Sequence, residues 1–147
     1  LDALRERPGD FEPLSRERLT AGALLPAAWY QRAQRYREAY RRRVRHLLDR
    51  YDLLIAPATP VTAPLLGQET IRIGGRALPT RPNLGLLTQP ISCIGLPVAV
   101  APLWPEGGLP IGVQLIAAPW REDVCLRAAR VLEQAGLASS RLATESA

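Results

Sequence analysis

Several residue types that carry catalysis or bind metals are scarce in this sequence of 147 residues. All 19 basic residues are arginine, so no lysine is present to act as a catalytic base. His46 is the only histidine, and the two cysteines, Cys93 and Cys125, are far apart in the chain. Structural zinc needs several such ligands at close spacing. The sequence therefore predicts no zinc site, and we expect both cysteines to be buried as small apolar residues.

Methionine and long apolar runs are missing as well. No stretch approaches the roughly 20 apolar residues of a membrane-spanning helix. Residues 1–10 (LDALRERPGD) also lack the apolar core of a signal peptide. We therefore expect a cytoplasmic protein. A chain that starts at Leu1 and contains no methionine is what a fragment or a processed product would show. Its 47% of hydrophobic residues is sufficient for the packed core of one ordinary domain.

The first third of the chain is predicted to be helical after an irregular start. Residues 1–14 form an irregular lead, because two prolines and a glycine interrupt any helix. Ser15 is a suitable N-cap for a helix that ends near Leu25. Residues 15–50 are therefore predicted to form helices.

Residues 27–50 are the clearest element, a long helix that begins directly after Pro26. Apolar residues recur at steps of three and four and form one stripe, consisting of Trp29, Ala33, Tyr36, Tyr40, Val44, Leu47 and Leu48. The other face is rich in arginine, and the net charge of +5 suggests nucleic acid as a ligand. However, Tyr36 and Tyr40 lie on the apolar stripe, not among the arginines where bases would stack. We therefore predict no binding of nucleic acid.

Residues 51–135 are predicted to contain three strands, a long loop and a final helix. The strands cover residues 52–57, 96–102 and 111–117. The first two are almost continuously apolar, which is typical of strands that are buried on both faces. The long loop, residues 57–83, contains a small hairpin that turns at Gly74-Gly75. Residues 84–91 are predicted to form one or two helical turns.

The final helix is predicted for residues 121–135, and Gly136 is a suitable stop. Residues 136–147 form a tail that we expect to be frayed from Ser139 onward. Three strands make only a small sheet, and their apolar faces need more partners than this chain supplies. We therefore predict an α/β chain that completes a larger sheet, and a small independent α/β domain is the alternative.

Three segments combine these apolar strands with fixed proline and glycine positions. They are residues 51–60 (YDLLIAPATP) with Ala63-Pro64 and Gly67, residues 95–100 (GLPVAV), and residues 108–116 (GLPIGVQLI) with Glu122. In this order and spacing they resemble the C-terminal region of the amidase signature family. Within that family, the chain is most similar to the biuret amidohydrolase (AtzE-type) branch. The segments that suggest this branch are residues 21–27 (AGALLPA), 81–92 (RPNLGLLTQPIS) and 117–123 (AAPWRED).

This resemblance implies an α/β fold in which the chain forms the C-terminal part of a mixed β-sheet layered between helices. It also implies hydrolysis of a linear C–N amide bond without a metal or cofactor. The family's catalytic group is a serine nucleophile, a second serine at a cis peptide, and a lysine base. Such a serine needs a base to accept its proton, and backbone N–H groups of a glycine-rich loop stabilise the developing oxyanion.

The sequence departs from the family pattern at the catalytic group. Its serines are Ser15, Ser92, Ser139, Ser140 and Ser146, and none of them lies in a glycine-rich loop. The family's lysine base cannot come from a chain without lysine. A histidine base would have to be His46, whose only nearby carboxylate in the sequence is Asp49. We therefore expect the catalytic residues to lie in an N-terminal portion outside this chain, and the chain alone to be inactive.

Two positions bear on the substrate by resemblance. Relatives that use glutamine hold the substrate carboxylate with an arginine, in a pattern matched here by Arg18 and Gly22. A guanidinium can grip a carboxylate with two hydrogen bonds, although a solvated helix residue is the alternative for Arg18. The same relatives hold the substrate amino group with an acidic residue, and Gly85 takes that position here. This departure favours a substrate without an ammonium group, such as a biuret or urea derivative.

Polar residues between Gly85 and Gly95 are further candidates for the pocket. They are Thr88, Gln89 and Ser92, and turn or capping hydrogen bonds are the alternative role, which we favour for Ser92. Cys93 has no base at hand, so we expect it in the core. The predicted substrate-binding set is therefore Arg18, Thr88 and Gln89.

The resemblance also implies partners. They are the N-terminal catalytic portion of the same amidase, a small amide substrate, and a small partner subunit or a second copy of the chain. The alternative is a truncated, non-catalytic module that only binds a partner subunit. A glycine- and serine-rich loop and a lysine encoded in frame upstream of Leu1 would favour the enzyme.

Overall fold

The computed structural model describes residues 1–141, and these residues belong to two compact units, Leu1–Ala39 and the chain from Tyr40 onward. The first unit contains helix α1 (Asp2–Glu6), a single 3-10 turn (Pro8–Asp10), helix α2 (Pro13–Ala23) and most of helix α3 (Ala27–Leu48). The prediction of an irregular lead over residues 1–14 is therefore only partly correct. Pro8, Gly9 and Pro13 interrupt this segment, but the residues before and between them are enough for short helical turns.

Helix α2 begins two residues earlier than predicted. Glu12 is its N-cap, and the Glu12 carboxylate accepts a hydrogen bond from the backbone N–H of Ser15 at 2.8 Å. Pro13 occupies the first turn, where its missing N–H costs nothing. Ser15 therefore lies inside the helix, and its prediction as the N-cap is wrong.

Helix α3 is present where the apolar stripe predicts it, and it extends from the first unit into the second. The Pro26 carbonyl accepts the N–H groups of Trp29 and Tyr30, which starts the helix. The stripe is buried only near its C-terminal end, where Val44 is buried and Leu48 is half-buried. Trp29 is exposed, and none of the side chains of residues 1–39 is buried. Burial of the whole stripe is therefore not observed in the described chain.

The second unit is built on an antiparallel sheet with the strand order β1-β5-β4. The strands are β1 (Leu54–Pro57), β4 (Val98–Leu103) and β5 (Ile111–Ile116). In this register Leu115 of β5 lies opposite Ile55 of β1 and Ala99 of β4. All three predicted strands are therefore confirmed, and the fold is α/β with an antiparallel sheet.

Both faces of the central strand are covered, but the outer strands are not. Helix α6 (Glu122–Gln134) packs on the face that carries Leu115, and the end of α3 packs on the face that carries Ile116. In contrast, Ile55 of β1 is 68% exposed and Val100 of β4 is 55% exposed. Ile55 and Val100 are therefore not covered within the described chain, although the apolar sequence of both strands is typical of burial on both faces.

The long loop contains the predicted hairpin and two short helices. Strands β2 (Thr70–Ile73) and β3 (Arg76–Pro79) pair in an antiparallel way around Gly74 and Gly75. Both glycines have positive φ, which this kind of tight turn requires. Helices α4 (Thr80–Asn83) and α5 (Gln89–Ser92) have four residues each. They confirm that short helical turns form near residues 84–91, although the first begins earlier than predicted.

The end of the chain is tied to the sheet. Gly136 has a φ of +70° after α6, as its prediction as a helix stop requires. Ala138 forms a bridge with Leu103, and the Trp104 indole N–H donates to the Ser139 carbonyl at 2.7 Å. The expected fraying from Ser139 is thus wrong for Ser139 itself. The rest of the predicted tail, residues 142–147, lies outside the described residues.

Candidate functional site

Residues 84–89 (LGLLTQ), which we call the substrate segment, carry two of the three predicted substrate-binding residues. A buried side chain of the sheet holds this segment in place. Gln114 of β5 is only 2% exposed, and its carboxamide nitrogen donates to the carbonyls of Pro57 at 2.9 Å and Leu87 at 3.1 Å. One side chain therefore joins the end of β1 to the substrate segment.

The segment turns sharply at Gly85. The Gly85 carbonyl accepts hydrogen bonds from the backbone N–H of Thr88 at 3.2 Å and of Gln89 at 3.0 Å. The Thr88 hydroxyl donates to the same carbonyl at 3.2 Å. The structure therefore brings Thr88 and Gln89 together at one turn. The Thr88 hydroxyl forms a hydrogen bond within that turn, which is the alternative to a role in substrate binding.

The Gln89 side chain lies over the backbone of Gly85. A Cβ atom at residue 85 would be 3.2 Å from the carboxamide nitrogen of Gln89 and 3.6 Å from its Cγ. These are tight distances, so the glycine leaves the space that the glutamine occupies. Gln89 itself is the first residue of α5 and is exposed.

Two residues that follow this segment, Ser92 and Cys93, are both exposed. Ser92, the last residue of α5, is exposed. Cys93 is also exposed, and its thiol donates to the Pro90 carbonyl at 3.1 Å. The expectation that Cys93 belongs to the core is wrong, because the end of the short helix α5 turns this side chain outward. Cys125 is buried, as predicted.

Arg18, the third predicted substrate-binding residue, lies in the first unit. It is an exposed residue of α2, one helical turn before Gly22. Its guanidinium makes no hydrogen bond or ion pair with the described residues. The substrate segment belongs to the second unit, so the structure places these residues in different parts of the chain.

The described chain holds no nucleophile with its base. Ser15, Ser92, Ser139 and Ser140 are all exposed, and none lies in a glycine-rich loop. His46 is exposed and contacts Asp49 at 3.2 Å, at the end of the arginine-rich helix. Within residues 1–141, no three His, Cys, Asp or Glu side chains are grouped as a metal ion would need.

A separate cavity of about 740 Å³ opens beside the start of β4. Arg41, Arg45 and Asp49 of α3 line one side of it, and Trp120 and Glu122 line another. Two cations and two anions thus face the same space. Trp120 is 89% exposed and has a φ of +65°, a backbone conformation that is uncommon for a bulky residue. None of these residues is predicted from the sequence to have a role.

Charged side chains at the start of α6 interact with one another. The Arg121 guanidinium donates to the Asp123 carboxylate at 3.1 Å, and Arg127 lies 3.3 Å from the other Asp123 oxygen. The hydrogen bond from Arg121, together with the positive charges of both arginines, lowers the pKa of Asp123 below its ordinary value. The same contact with Asp123 raises the pKa of Arg121. Asp123 lies in the first turn of α6, where a negative charge suits the helix dipole.

Gln114 is a candidate functional residue whose role the sequence does not predict. It belongs to one of the motifs that carry the resemblance. Its signal in the sequence is a single polar residue inside an otherwise apolar strand, Ile111–Ile116. A buried carboxamide needs partners for its hydrogen-bonding groups, so this position predicts a contact but not which backbone groups would provide it.

Comparison with known proteins identifies the family. The family model described as Amidase matches residues 4–126 of the chain. The chain therefore belongs to the amidase family. It is 57% identical over 140 residues to AtzE, the 1-carboxybiuret hydrolase subunit of Pseudomonas sp. (strain ADP). This match covers 94% of the chain and 31% of that relative.

More distant relatives and solved structures support the same family. The chain is 33% identical over 108 residues to a glutamyl-tRNA(Gln) amidotransferase subunit of Geobacillus stearothermophilus, covering 74% of the chain and 21% of the relative. A vestigial protein complex, described as revealing the origins of an s-triazine catabolic enzyme, superposes with a TM-score of 0.91 at 55% identity. An amidase crystal structure superposes with a TM-score of 0.81 at 34% identity. These two matches cover 96% and 92% of the chain, and 31% of each solved chain.

Two consequences follow for the chain as a whole. It spans about a third of the length of AtzE and about a fifth of the length of the amidotransferase subunit. Its sheet and helices have the arrangement of amidase signature structures, as the resemblance implies. Among the described residues, no helix is long and apolar enough to cross a membrane.

Proposed function

We propose that this chain is the C-terminal part of an amidohydrolase that cleaves a linear C–N amide bond of the biuret or urea-derivative type. The observation that carries the proposal is the 57% identity to a 1-carboxybiuret hydrolase subunit over 94% of the chain. Gly85 supports the substrate class, because this position provides no charge to pair with an ammonium group.

The nucleophile and its base would come from outside this chain. The proposed mechanism uses a serine, a second serine at a cis peptide, and a lysine. The sequence supports this division because it has no lysine and no serine in a glycine-rich loop. The missing portion would also supply backbone donors for the oxyanion that forms when serine attacks the amide carbon. The mechanism requires no cofactor.

Within the chain, Arg18, Thr88 and Gln89 are the proposed substrate-binding residues. Arg18 is exposed on α2, and a guanidinium suits a carboxylate on a carboxylated biuret. Thr88 and Gln89 lie together at the Gly85 turn, which Gln114 anchors to the sheet. Such anchoring supports a binding role, because side chains on a fixed backbone lose less entropy when a ligand binds.

Partners are part of the proposal. The names of the two curated relatives describe both proteins as subunits, which supports a small partner subunit or a second copy of the chain. The proposed location is the cytoplasm, where the free thiols of Cys93 and Cys125 remain reduced.

A second candidate function is a truncated, non-catalytic module that binds a partner subunit. The same subunit relationship favours it, together with the absence of a complete catalytic group from the sequence. The amidohydrolase requires a longer native polypeptide that contains the catalytic residues, whereas the binding module does not.

The mass of the native polypeptide in its source cells tests the proposal. We expect a mass well above the 16.1 kDa of this chain. The longer polypeptide should release ammonia from biuret or 1-carboxybiuret, and the isolated chain should release none. A native mass of 16.1 kDa would contradict the amidohydrolase and favour the binding module.

A further inference from the structure

We propose that the Gln89 carboxamide, which lies over the backbone of Gly85, recognises the ureido group of the substrate by pairing with its carbonyl and its N–H. This inference rests on the proposed function and adds to it the group that distinguishes a ureido substrate from a simple acyl amide. Three features support it, which are the space around Gln89, the anchoring of its backbone, and the chemistry of its side chain.

Gly85 makes room for the glutamine. Any side chain at residue 85 would begin with a Cβ only 3.2 Å from the Gln89 carboxamide nitrogen. A contact of that length would shift the Gln89 side chain by a few tenths of an ångström. The absence of a Cβ at residue 85 therefore leaves room for the present position of the Gln89 carboxamide, and the φ of Gly85 is not in the positive region that would require glycine for backbone reasons. The Gln89 carboxamide can occupy its present position because residue 85 has no side chain.

Four hydrogen bonds to two backbone carbonyls hold the backbone near this carboxamide. Three donors from Thr88 and Gln89 converge on the Gly85 carbonyl at 3.0 to 3.2 Å. Two residues before Gln89, the carbonyl of Leu87 accepts a hydrogen bond from the buried Gln114. Because Gln114 also binds Pro57, the turn is connected to two strands of the sheet.

The side chain itself has its hydrogen-bonding groups available. Within residues 1–141 the Gln89 carboxamide makes no hydrogen bond, and the residue is exposed. A carboxamide offers both a donor and an acceptor. A ureido group offers a carbonyl oxygen and an N–H on the next atom, so the two groups can form a paired set of hydrogen bonds. A carboxylate at residue 89 would lose the donor, and an alkyl chain would lose both groups.

The test compares two substrates in the longer polypeptide that the proposed function implies. One substrate is biuret, which contains the ureido group, and the other is propionamide, which does not. The variants are Gln89→Met, Gln89→Glu and Gly85→Ala. Gln31→Glu is the matched control, because Gln31 is an exposed glutamine on α3 in the other unit.

We expect Gln89→Met and Gln89→Glu to lower kcat/KM for biuret by about 10- to 100-fold, because unpaired substrate groups lose their hydrogen bonds. Gly85→Ala displaces the carboxamide and should raise KM for biuret roughly three- to tenfold with little change in kcat, as expected when binding is weakened uniformly. Propionamide lacks the group that pairs with Gln89, so the residue 89 variants should lower kcat/KM for propionamide by a much smaller factor than for biuret. Gln31→Glu should change neither substrate.

Other results separate the two levels of the proposal. If the enzyme cleaves biuret and the residue 89 variants slow both substrates equally, Gln89 has a structural role and the inference is wrong, while the proposed function stands. Unchanged biuret kinetics in Gln89→Met would have the same meaning. An enzyme that cleaves neither substrate, or cleaves only propionamide, would overturn the proposed substrate class and the inference together.

Discussion

In residues 1–39 no side chain is buried, whereas the unit that begins at Tyr40 contains three apolar clusters around its sheet. The helices of the first unit are set by local signals, such as the Glu12 cap and the prolines that open α2 and α3. The strands of the second unit depend on contacts between residues distant in sequence, such as Ile55 with Leu115. Local signals are enough to place a helix, but only burial makes a unit stable. This difference predicts where substitutions will be costly.

The largest effect is expected at the centre of the sheet. Leu115→Ala should lower the free energy of unfolding by about 2–5 kcal/mol, because it leaves a cavity in a fully buried position. Leu19→Ala in α2 is the matched control and should cost less than about 0.5 kcal/mol, since Leu19 is exposed. Urea denaturation monitored by circular dichroism measures both. Equal losses would show that the first unit is buried as extensively as the second.

A smaller effect is expected at the anchored carboxamide. Gln114→Leu should destabilise the protein by about 1–3 kcal/mol, because the carbonyls of Pro57 and Leu87 lose a buried donor. Gln68→Leu removes two hydrogen bonds as well, to Leu65 and Thr70, but from an exposed side chain. Water can replace these bonds, so this control should cost less. Hydrogen exchange of Thr88 and Gln89 should become faster only in Gln114→Leu, and unchanged exchange there would contradict the anchoring role.

A local signal of the first unit is expected to matter less. Glu12→Ala removes the N-cap of α2 and should cost about 1 kcal/mol of helix stability. Glu17→Ala changes an exposed acidic residue inside the same helix and should leave stability nearly unchanged. Amide exchange rates in the first turn of α2 measure the difference. Equal rates in both variants would mean that the Glu12 cap does not hold the start of the helix.

The smallest effect is expected from a surface charge of the second unit. The pKa of Asp123 is lowered by the hydrogen bond from Arg121 and by the charges of Arg121 and Arg127. A depressed folded-state pKa adds stability that is present above the unfolded value of about 3.9 and is lost as the pH falls through the folded value. Asp123→Asn should therefore flatten the acid limb of an unfolding curve below about pH 4. Asp49→Asn is the control, and an equal change in both variants would contradict the assignment.

The sequence predicted the positions of helices and strands better than it predicted the burial of individual side chains. The hairpin at Gly74-Gly75, helix α3 and the final helix are confirmed near their predicted ends, because glycine, proline and apolar spacing act over a few residues. The outward position of Cys93 was not predicted. It depends on which residues from distant parts of the chain lie against this side chain.

The candidate site shows the same division. The sequence alone pointed to Gly85, Thr88 and Gln89 and to the absence of a lysine base, because these features follow from residue identity and resemblance. It did not reveal that Gln114 reaches Leu87 across the fold, or that the carboxamide of Gln89 occupies the space left by Gly85. Hydrogen bonds between residues 27 positions apart exist only after the chain has folded. The sequence therefore determines which chemical groups are available. Tertiary packing determines the distances between them, because it brings together residues that are far apart in the chain.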